Sequence, residues 1–229
     1  MIISTFNIKN DIKDYKRSKE KEILNYLNKN KLDILNLQEL YKPLYKDLLK
    51  DLKNTKYTIN NRFRFRLPLI FNRINESTPI ITNKKVVSTK TYWLPHFPSF
   101  LKRIITKTEI EDNGEIISIY NTHLDFMFDK VKEKQLKKIL NIIKKDKNKI
   151  ILSGDFNLKN NKEIFNKFVS KLDSIGIKRV ELNDKTLKQS KYHRAIDHIF
   201  ISKDFKVIKK EIIKDLDISD HYPLLIEIK

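Results

Sequence analysis

Short runs of β-branched and aliphatic residues recur along this chain, and one after another ends on a side chain that can bind metal or move a proton. Met1–Phe6 runs into Asn7, Asp33–Leu37 into Gln38-Glu39, Glu115–Thr122 into His123, and Lys149–Ser153 into Gly154-Asp155-Phe156-Asn157. Asp197 is the second residue of the run Ile196–Ser202, and Asp220-His221 stands just ahead of Leu224–Ile228. Strands pair side by side, so polar residues repeated at their ends collect along one edge of a sheet. Acids, amides and imidazoles gathered in this way are how a sheet-based active site is built.

The rest of the chain reads as helices alternating with short strands. Tyr15–Asn30 carries Ile23, Leu24 and Leu27 on one helical face, and Tyr41–Lys53 carries Leu44, Leu48, Leu49 and Leu52. Asp129–Lys145 turns Val131, Leu136, Ile139, Leu140 and Ile143 inward, and Lys162–Ile175 is a further helix. Lys56–Asn60, Pro79–Thr82, Lys85–Thr91, Arg103–Ile110 and Val207–Ile213 complete the strands, with a hairpin turn at Asp112-Asn113-Gly114. No linker-like stretch and no internal sequence repeat interrupts the chain. Its 229 residues therefore read as one domain, residues 1–229.

Composition narrows the chemistry. Without cysteine there are no disulfides, no thiolate metal sites and no cysteine nucleophile. Any metal must sit on oxygen and imidazole ligands, which favours Mg, Mn or Ca. No apolar run is long enough to span a bilayer and the N-terminus reads as a strand, so the expected location is cytoplasmic. The net charge of +19 suits a polyanion-binding surface. It is equally what an A/T-rich coding sequence gives, since the excess is mostly lysine, and dedicated phosphate readers lean on arginine.

Phosphodiester hydrolysis needs a neutralised phosphate, an oriented water and a protonated leaving oxygen. Carboxylates and amide oxygens holding a hard cation supply the first, and carboxylates and imidazoles the others. The strand-end residues contain that whole set. Each has a plainer reading too: Glu39 as a carboxylate at the N-terminus of the following helix, Asp155 and Asn157 as an Asx turn, and Asn7 as a turn cap.

Taken in order, Thr5-Phe6-Asn7-Ile8, Asp33–Glu39, Asn121-Thr122-His123-Leu124, Ser153–Asn157, Arg194–Phe200 and Ser219–Leu224 resemble the endonuclease/exonuclease/phosphatase superfamily over essentially the whole chain. The resemblance implies an α/β fold, a four-layer α/β sandwich of two mostly antiparallel sheets face to face with helices outside. It implies a Mg2+- or Mn2+-dependent phosphodiester hydrolase. Asn7 and Glu39 would be metal ligands, with Asp220 completing the shell. Asp155 would orient or deprotonate water, and Asn157 would hold that water or a phosphate oxygen. His221 would bind the scissile phosphate, with Asp197 fixing its tautomer and raising its pKa. His123 would contact phosphate or assist the leaving group. His198 and His193 would be structural or exposed.

Two departures fall on the substrate side. Ser77-Thr78-Pro79-Ile80-Ile81-Thr82 lacks the glycine usual in that strand and carries a proline, and Tyr222 stands where Arg is common. Two segments are candidates for substrate contact. Arg62, Arg64 and Arg66 alternate with Phe63 and Phe65, giving a phosphate-gripping face or an ordinary solvated strand face. Tyr92–Phe100, with Trp93 and the nearby Arg103, reads as a loop that stacks on bases, enters a lipid interface, or packs on the core as an aromatic plug. The expected substrate is nucleic acid, acted on by a monomeric nuclease or DNA-end-processing enzyme; the alternative is a lipid or inositol phosphate. A fold that has lost activity is disfavoured, because every acid and histidine of the set is present.

Overall fold

The computed structural model describes residues 1–9, 18–40, 42–60, 77–159, 161–182, 184–188 and 195–229. The Arg62-Phe63-Arg64-Phe65-Arg66 segment, His193 and Arg194 lie outside them.

Strands β1 (Ile2–Asn7), β2 (Ile34–Gln38), β3 (Thr58–Asn60), β4 (Ile80–Thr82), β11 (Val207–Ile212) and β12 (Leu224–Ile228) form one sheet in the order β11-β12-β1-β2-β4-β3. The other sheet takes β5 (Lys85–Trp93), β6 (Ile104–Asp112), β7 (Glu115–His123), β8 (Lys149–Asp155), β9 (Ile177–Arg179) and β10 (Asp197–Ser202), in the order β5-β6-β7-β8-β10-β9. Helices α1 (Ser18–Lys29) and α2 (Lys42–Leu52) cover the first sheet; α3 (Asp129–Ile143) and α4 (Glu163–Asp173) cover the second. The architecture is the expected four-layer α/β sandwich.

Each sheet carries one parallel pair, β1 with β2 and β7 with β8, and every other pairing is antiparallel. A helix bridges each parallel pair, α1 in one sheet and α3 in the other, as parallel crossovers require. The two sheets thus share one pairing pattern although the sequence shows no repeat. Backbone pairing depends on geometry, and two halves keep it while their side chains diverge.

Periodicity explains the layers. Ile23, Tyr26 and Leu27 of α1 and Leu44, Leu48 and Leu52 of α2 are buried against the first sheet, while Leu49 faces outward. Phe165, Phe168 and Leu172 of α4 join Leu136, Ile139, Leu140 and Ile143 of α3 over the second. Between the sheets lies an isoleucine-rich core that includes Ile3, Ile34, Ile119, Ile151, Ile199 and Ile226. Burying each such side chain stabilises the fold by about 1.5–3 kcal/mol.

Toward the end where β1, β2, β7 and β8 finish, the filling between the sheets becomes polar. Asn36 Nδ2 donates to Ser153 Oγ at 2.7 Å, and Gln38 Nε2 to Asn121 Oδ1 at 2.7 Å and Thr5 Oγ1 at 3.0 Å. Asn121 Nδ2 donates to the carbonyls of Leu37 (2.7 Å) and Pro79 (2.8 Å). Directional bonds in a low-dielectric interior fix the relative position of two sheets more tightly than apolar contact does. Pro79 fits because only its carbonyl is required at that point; Leu37 N–H also donates to it. No helix among the described residues is long and apolar enough to cross a membrane.

Candidate active site

Register brings the strand-end residues together. The parallel β7–β8 pairing sets His123 opposite Asp155, and the antiparallel β8–β10 pairing sets Asp155 opposite Asp197. From the facing sheet, β1 delivers Asn7, paired with Gln38, and Glu39 follows at the end of β2. The Ser219–His221 turn is tied to β1 by Ser219 Oγ, which donates to Asn7 O at 2.7 Å and accepts from His221 N at 3.1 Å. A second strap holds it from the other side: Tyr222 N donates to Thr186 O and Lys188 N to Asp220 O, both at 2.7 Å.

The backbone is bent where these side chains turn into the site. Lys9, Glu39 and Asn157 all have positive φ (39°, 58° and 50°) without being glycine. Such residues each cost on the order of 1 kcal/mol or more and persist where surroundings over-determine them. Gly154, at φ 146°, is the closest approach: a Cβ there would lie 1.9 Å from Thr122 O. Only glycine lets β8 pass β7 and present Asp155 at this height.

The chemistry centres on Asp155 Oδ2. Asn7 Nδ2 donates to it at 3.0 Å and to Glu39 Oε1 at 3.1 Å. His123 Nε2 stands 3.6 Å and His221 Nε2 3.8 Å from the same oxygen. Asp155 Oδ1 is committed elsewhere, accepting from Asn157 N at 2.8 Å, while Asn157 Nδ2 holds Leu124 O at 3.1 Å. The Asx turn and the site are therefore the same structure: the turn occupies one oxygen and aims the other into the cleft. Asp220 Oδ2 pairs with Lys9 Nζ at 2.9 Å.

The two imidazoles differ electrically. His221 Nδ1 bonds Asp197 Oδ2 at 2.9 Å. Burial alone would lower the His221 pKa, but the charge and hydrogen bond of Asp197, reinforced by Asp155 and Asp220, raise it from 6.5 to about 10. Asp197 is itself pushed up by burial, with His221 and the Thr186 hydroxyl pulling the other way. His221 is thus an imidazolium at neutral pH, presenting Nε2–H to the cleft. His123 Nδ1 instead meets Arg103 Nη1 at 3.0 Å. A guanidinium only donates, so Nδ1 accepts and Nε2 carries the proton toward Asp155 and Glu39. His198 plays no part here. It is buried beside Phe156, Phe165 and Phe200, with Nε2 on Leu158 O at 3.0 Å, and burial lowers its pKa to about 4.

Two groupings could hold a cation. Ligand atoms of Asp155, Asp197 and His221 lie within 4.8 Å of one another. Asp197 Oδ2 and His221 Nδ1 are spent on each other at 2.9 Å, however. The better donor set is Glu39 and Asp155, whose Oε1 and Oδ2 both accept from the Asn7 amide, with Asp220 lining the same cleft. Two carboxylates converging on one small polar group match a hard divalent ion.

A cleft of about 800 Å3 opens over these residues. Its lining includes Glu39, Arg103, His123, Asp155, Asp220 and His221. Arg103 is buried in the wall against His123, and Trp93, at the end of β5, is not among the lining residues. The Tyr92–Phe100 segment is not simply a plug. Leu94 is buried and Ser99 Oγ bonds Asp125, but Phe97 and Phe100 are 80% and 93% exposed. Sequence reading missed Lys9 and Thr186 and, within motifs it did single out, the bonding roles of Ser219, Asn121 and Gln38. The last two stand inside the strand-end motifs, but nothing local signals a bond to the opposite sheet.

The sequence model of the Endonuclease/Exonuclease/phosphatase family matches residues 4–221. None of the curated protein sequences matches. Among solved structures, the mannosyl-6-phosphatase Bt3783 of Bacteroides thetaiotaomicron superposes with a TM-score of 0.80 at 20% identity, covering 100% of this chain and 99% of that one. An endonuclease/exonuclease/phosphatase from Bacteroides vulgatus gives 0.83 at 20% identity, covering 100% and 98%. ANGEL2, a 2',3'-cyclic phosphatase solved with adenosine-2',3'-vanadate, gives 0.77 at 14% identity, covering 99% and 94%. At these identities the superpositions speak for the fold, and the match over residues 4–221 speaks for descent: the chain belongs to the endonuclease/exonuclease/phosphatase family of phosphoesterases.

Proposed function

We propose that this phosphoesterase hydrolyses phosphodiesters with Mg2+ or Mn2+, and that its substrate is nucleic acid, cut by nuclease or DNA-end-processing action. The observation that carries the reading is the convergence of Asn7, His123 and His221 on Asp155 Oδ2, with Glu39 on the same Asn7 amide and Asp220 lining the same cleft.

Glu39 would hold the cation beside Asp155, with Asp220 on the same cleft, and the ion would neutralise phosphate charge. Asn7, expected as a ligand, instead donates Nδ2 to both carboxylates while its Oδ1 accepts from Lys9 N at 3.0 Å, so it positions them. Asp155 Oδ2 faces the cleft as the acceptor for a proton of the attacking water, while its Oδ1 is locked by Asn157. His221 Nε2–H and His123 Nε2–H point to the same region as two donors, one charged and one neutral. Fixed donors aimed where negative charge grows on a phosphate stabilise the transition state without having to reorganise. Asp197 positions His221 and keeps it charged; Arg103 positions His123.

A nucleic-acid substrate is supported by the net charge of +19 and by the aromatic loop beside the cleft. ANGEL2, solved with an adenosine derivative, is a nucleotide-binding relative in fold. The exposed Phe97 and Phe100 give a second reading, a lipid or inositol-phosphate phosphoesterase that sinks aromatic side chains into an interface. The test is a panel of single-stranded DNA, RNA, nicked duplex, sphingomyelin and a phosphoinositide with Mg2+ or Mn2+. Cleavage of a nucleic acid that EDTA and Asp155→Ala both abolish is the expected result. Turnover of the lipid substrates alone would replace the first reading with the second.

A further inference from the structure

The cleft does not end at the acids and imidazoles. Its wall also includes three lysines, Lys132, Lys159 and Lys162, and the apolar pair Phe126 and Met127. Resting on the phosphodiesterase reading above, we propose that this wall is a second phosphate subsite. It takes the phosphate next to the scissile one along a nucleic-acid strand, while the intervening base rests on Phe126 and Met127.

Lys132 is an unusual residue to find here. It is 4% exposed, on α3, and its ammonium reaches Asn157 O at 3.3 Å, two residues on from Asp155. Asp129 Oδ1 holds the same ammonium at 3.0 Å, and Asp129 Oδ2 holds Lys162 Nζ at 3.1 Å. One carboxylate thus serves two lysines, which leaves that cluster net positive. An ammonium has three donors, and Lys162 is half exposed, so it can turn a donor to a ligand without leaving Asp129. The three donors of Lys132 are spent on Asp129 Oδ1, Asn157 O and, at 3.5 Å, Phe126 O, so Lys132 fixes the wall in place and the phosphate falls to Lys162 and Lys159.

The apolar residues complete the match. Phe126 and Met127 are 58% and 56% exposed, yet they are not loose, because Asp125 Oδ1 accepts from the backbone N–H of Met127 and Phe128, both at 2.8 Å. Asp125 also takes the Ser99 hydroxyl, and its own N–H donates to Gln135 Oε1 at 2.9 Å. A held aromatic and a thioether facing a cleft form a surface on which a planar base packs in a sequence-tolerant way. The volume of about 800 Å3 agrees. It lies in the upper part of the range of about 300–1,000 Å3 that encloses a drug-sized ligand, more than one phosphate group fills.

The experiment uses Asp155→Asn protein with Mg2+ and a fluorescein-labelled short oligothymidylate, read by anisotropy over a range of salt concentrations. Replacing Lys159 and Lys162 by serine, singly and together, should weaken binding by about tenfold for each. Each replacement should also flatten the log–log salt dependence by about 0.7. In the active background, the ratio of kcat/KM for the oligonucleotide to kcat/KM for bis(p-nitrophenyl) phosphate should fall in step. Unchanged oligonucleotide affinity and salt slope in the double variant overturn the subsite. So does a double variant that loses binding to anionic phospholipid vesicles while keeping the oligonucleotide. If the parent cleaves neither diester with Mg2+ or Mn2+, the phosphodiesterase reading fails instead, an outcome the lysine variants do not produce.

Discussion

Replacing Asp197 by asparagine should discharge His221. Asp197 is buried in β10, opposite Asp155, and its carboxylate is 2.9 Å from His221 Nδ1. Burial favours the neutral imidazole, and the Asp197 carboxylate, reinforced by Asp155 and Asp220, reverses that, carrying the pKa from 6.5 to about 10. At about 1.36 kcal/mol per tenfold change in proton affinity, the rise corresponds to roughly 5 kcal/mol in favour of the imidazolium. This agrees with the 3–5 kcal/mol lost on average when a buried pair is broken from one side. The sign follows from the direction of the shift. A histidine whose folded pKa is raised contributes its full stabilisation below the unfolded value of about 6.5 and loses it as pH climbs through about 10. Urea unfolding of metal-free parent and Asp197→Asn should therefore differ by about 3–5 kcal/mol near pH 6, with the gap closing above pH 10. Burial raises the Asp197 carboxyl itself, so the low point is set near pH 6 and no lower. Two-dimensional NMR of the imidazole should show the His221 titration moving from about 10 to below neutrality. A stability gap that is the same near pH 6 and above pH 10, or a His221 that still titrates near 10 in the variant, would refute the reasoning.

Gly154→Ala should be strongly destabilising, by about 3 kcal/mol or more, because its Cβ would lie 1.9 Å from the backbone oxygen of Thr122 and backbone cannot step aside cheaply. A melting temperature within a degree of the parent's would contradict the close-approach reading. Arg103→Leu should free His123 to take either tautomer, lowering kcat by about tenfold to a hundredfold with little change in KM. Nitrogen chemical shifts showing Nε2–H unchanged in that variant would mean something else sets the tautomer.

Much of this was legible in the sequence because the code is local. An apolar run that stops at Gly-Asp-Phe-Asn says both that a strand ends and that Asp155 stands at its end, where a site can form. Asn7, Glu39, His123, Asp197 and His221 were findable by the same rule, and register then brought them together without any further signal. What stayed hidden depends on neighbours far along the chain. Asn121 and Gln38 are ordinary polar strand residues until the opposite sheet supplies Leu37 O, Pro79 O and Thr5 Oγ1 as partners. Arg103 read as a substrate contact beside the aromatic loop, and only the fold puts it against His123. Exposure was the hardest property to read: Phe97 and Phe100 carry the composition of a core plug, yet they stand out from it. The three-residue β9 has too little pattern to show, and a shared pairing pattern of two sheets leaves no trace in side chains.

The central claim is that Glu39 anchors a divalent ion beside Asp155 and that phosphodiester hydrolysis depends on it. The most direct measurement is the rate of bis(p-nitrophenyl) phosphate hydrolysis against Mn2+ concentration, for metal-stripped parent and Glu39→Gln. The account predicts no rate without metal, a saturable rise in the parent, and a half-saturating concentration at least about a hundredfold higher in the variant. A metal-stripped parent that keeps its rate, or a Glu39→Gln curve that overlays the parent's, would contradict it.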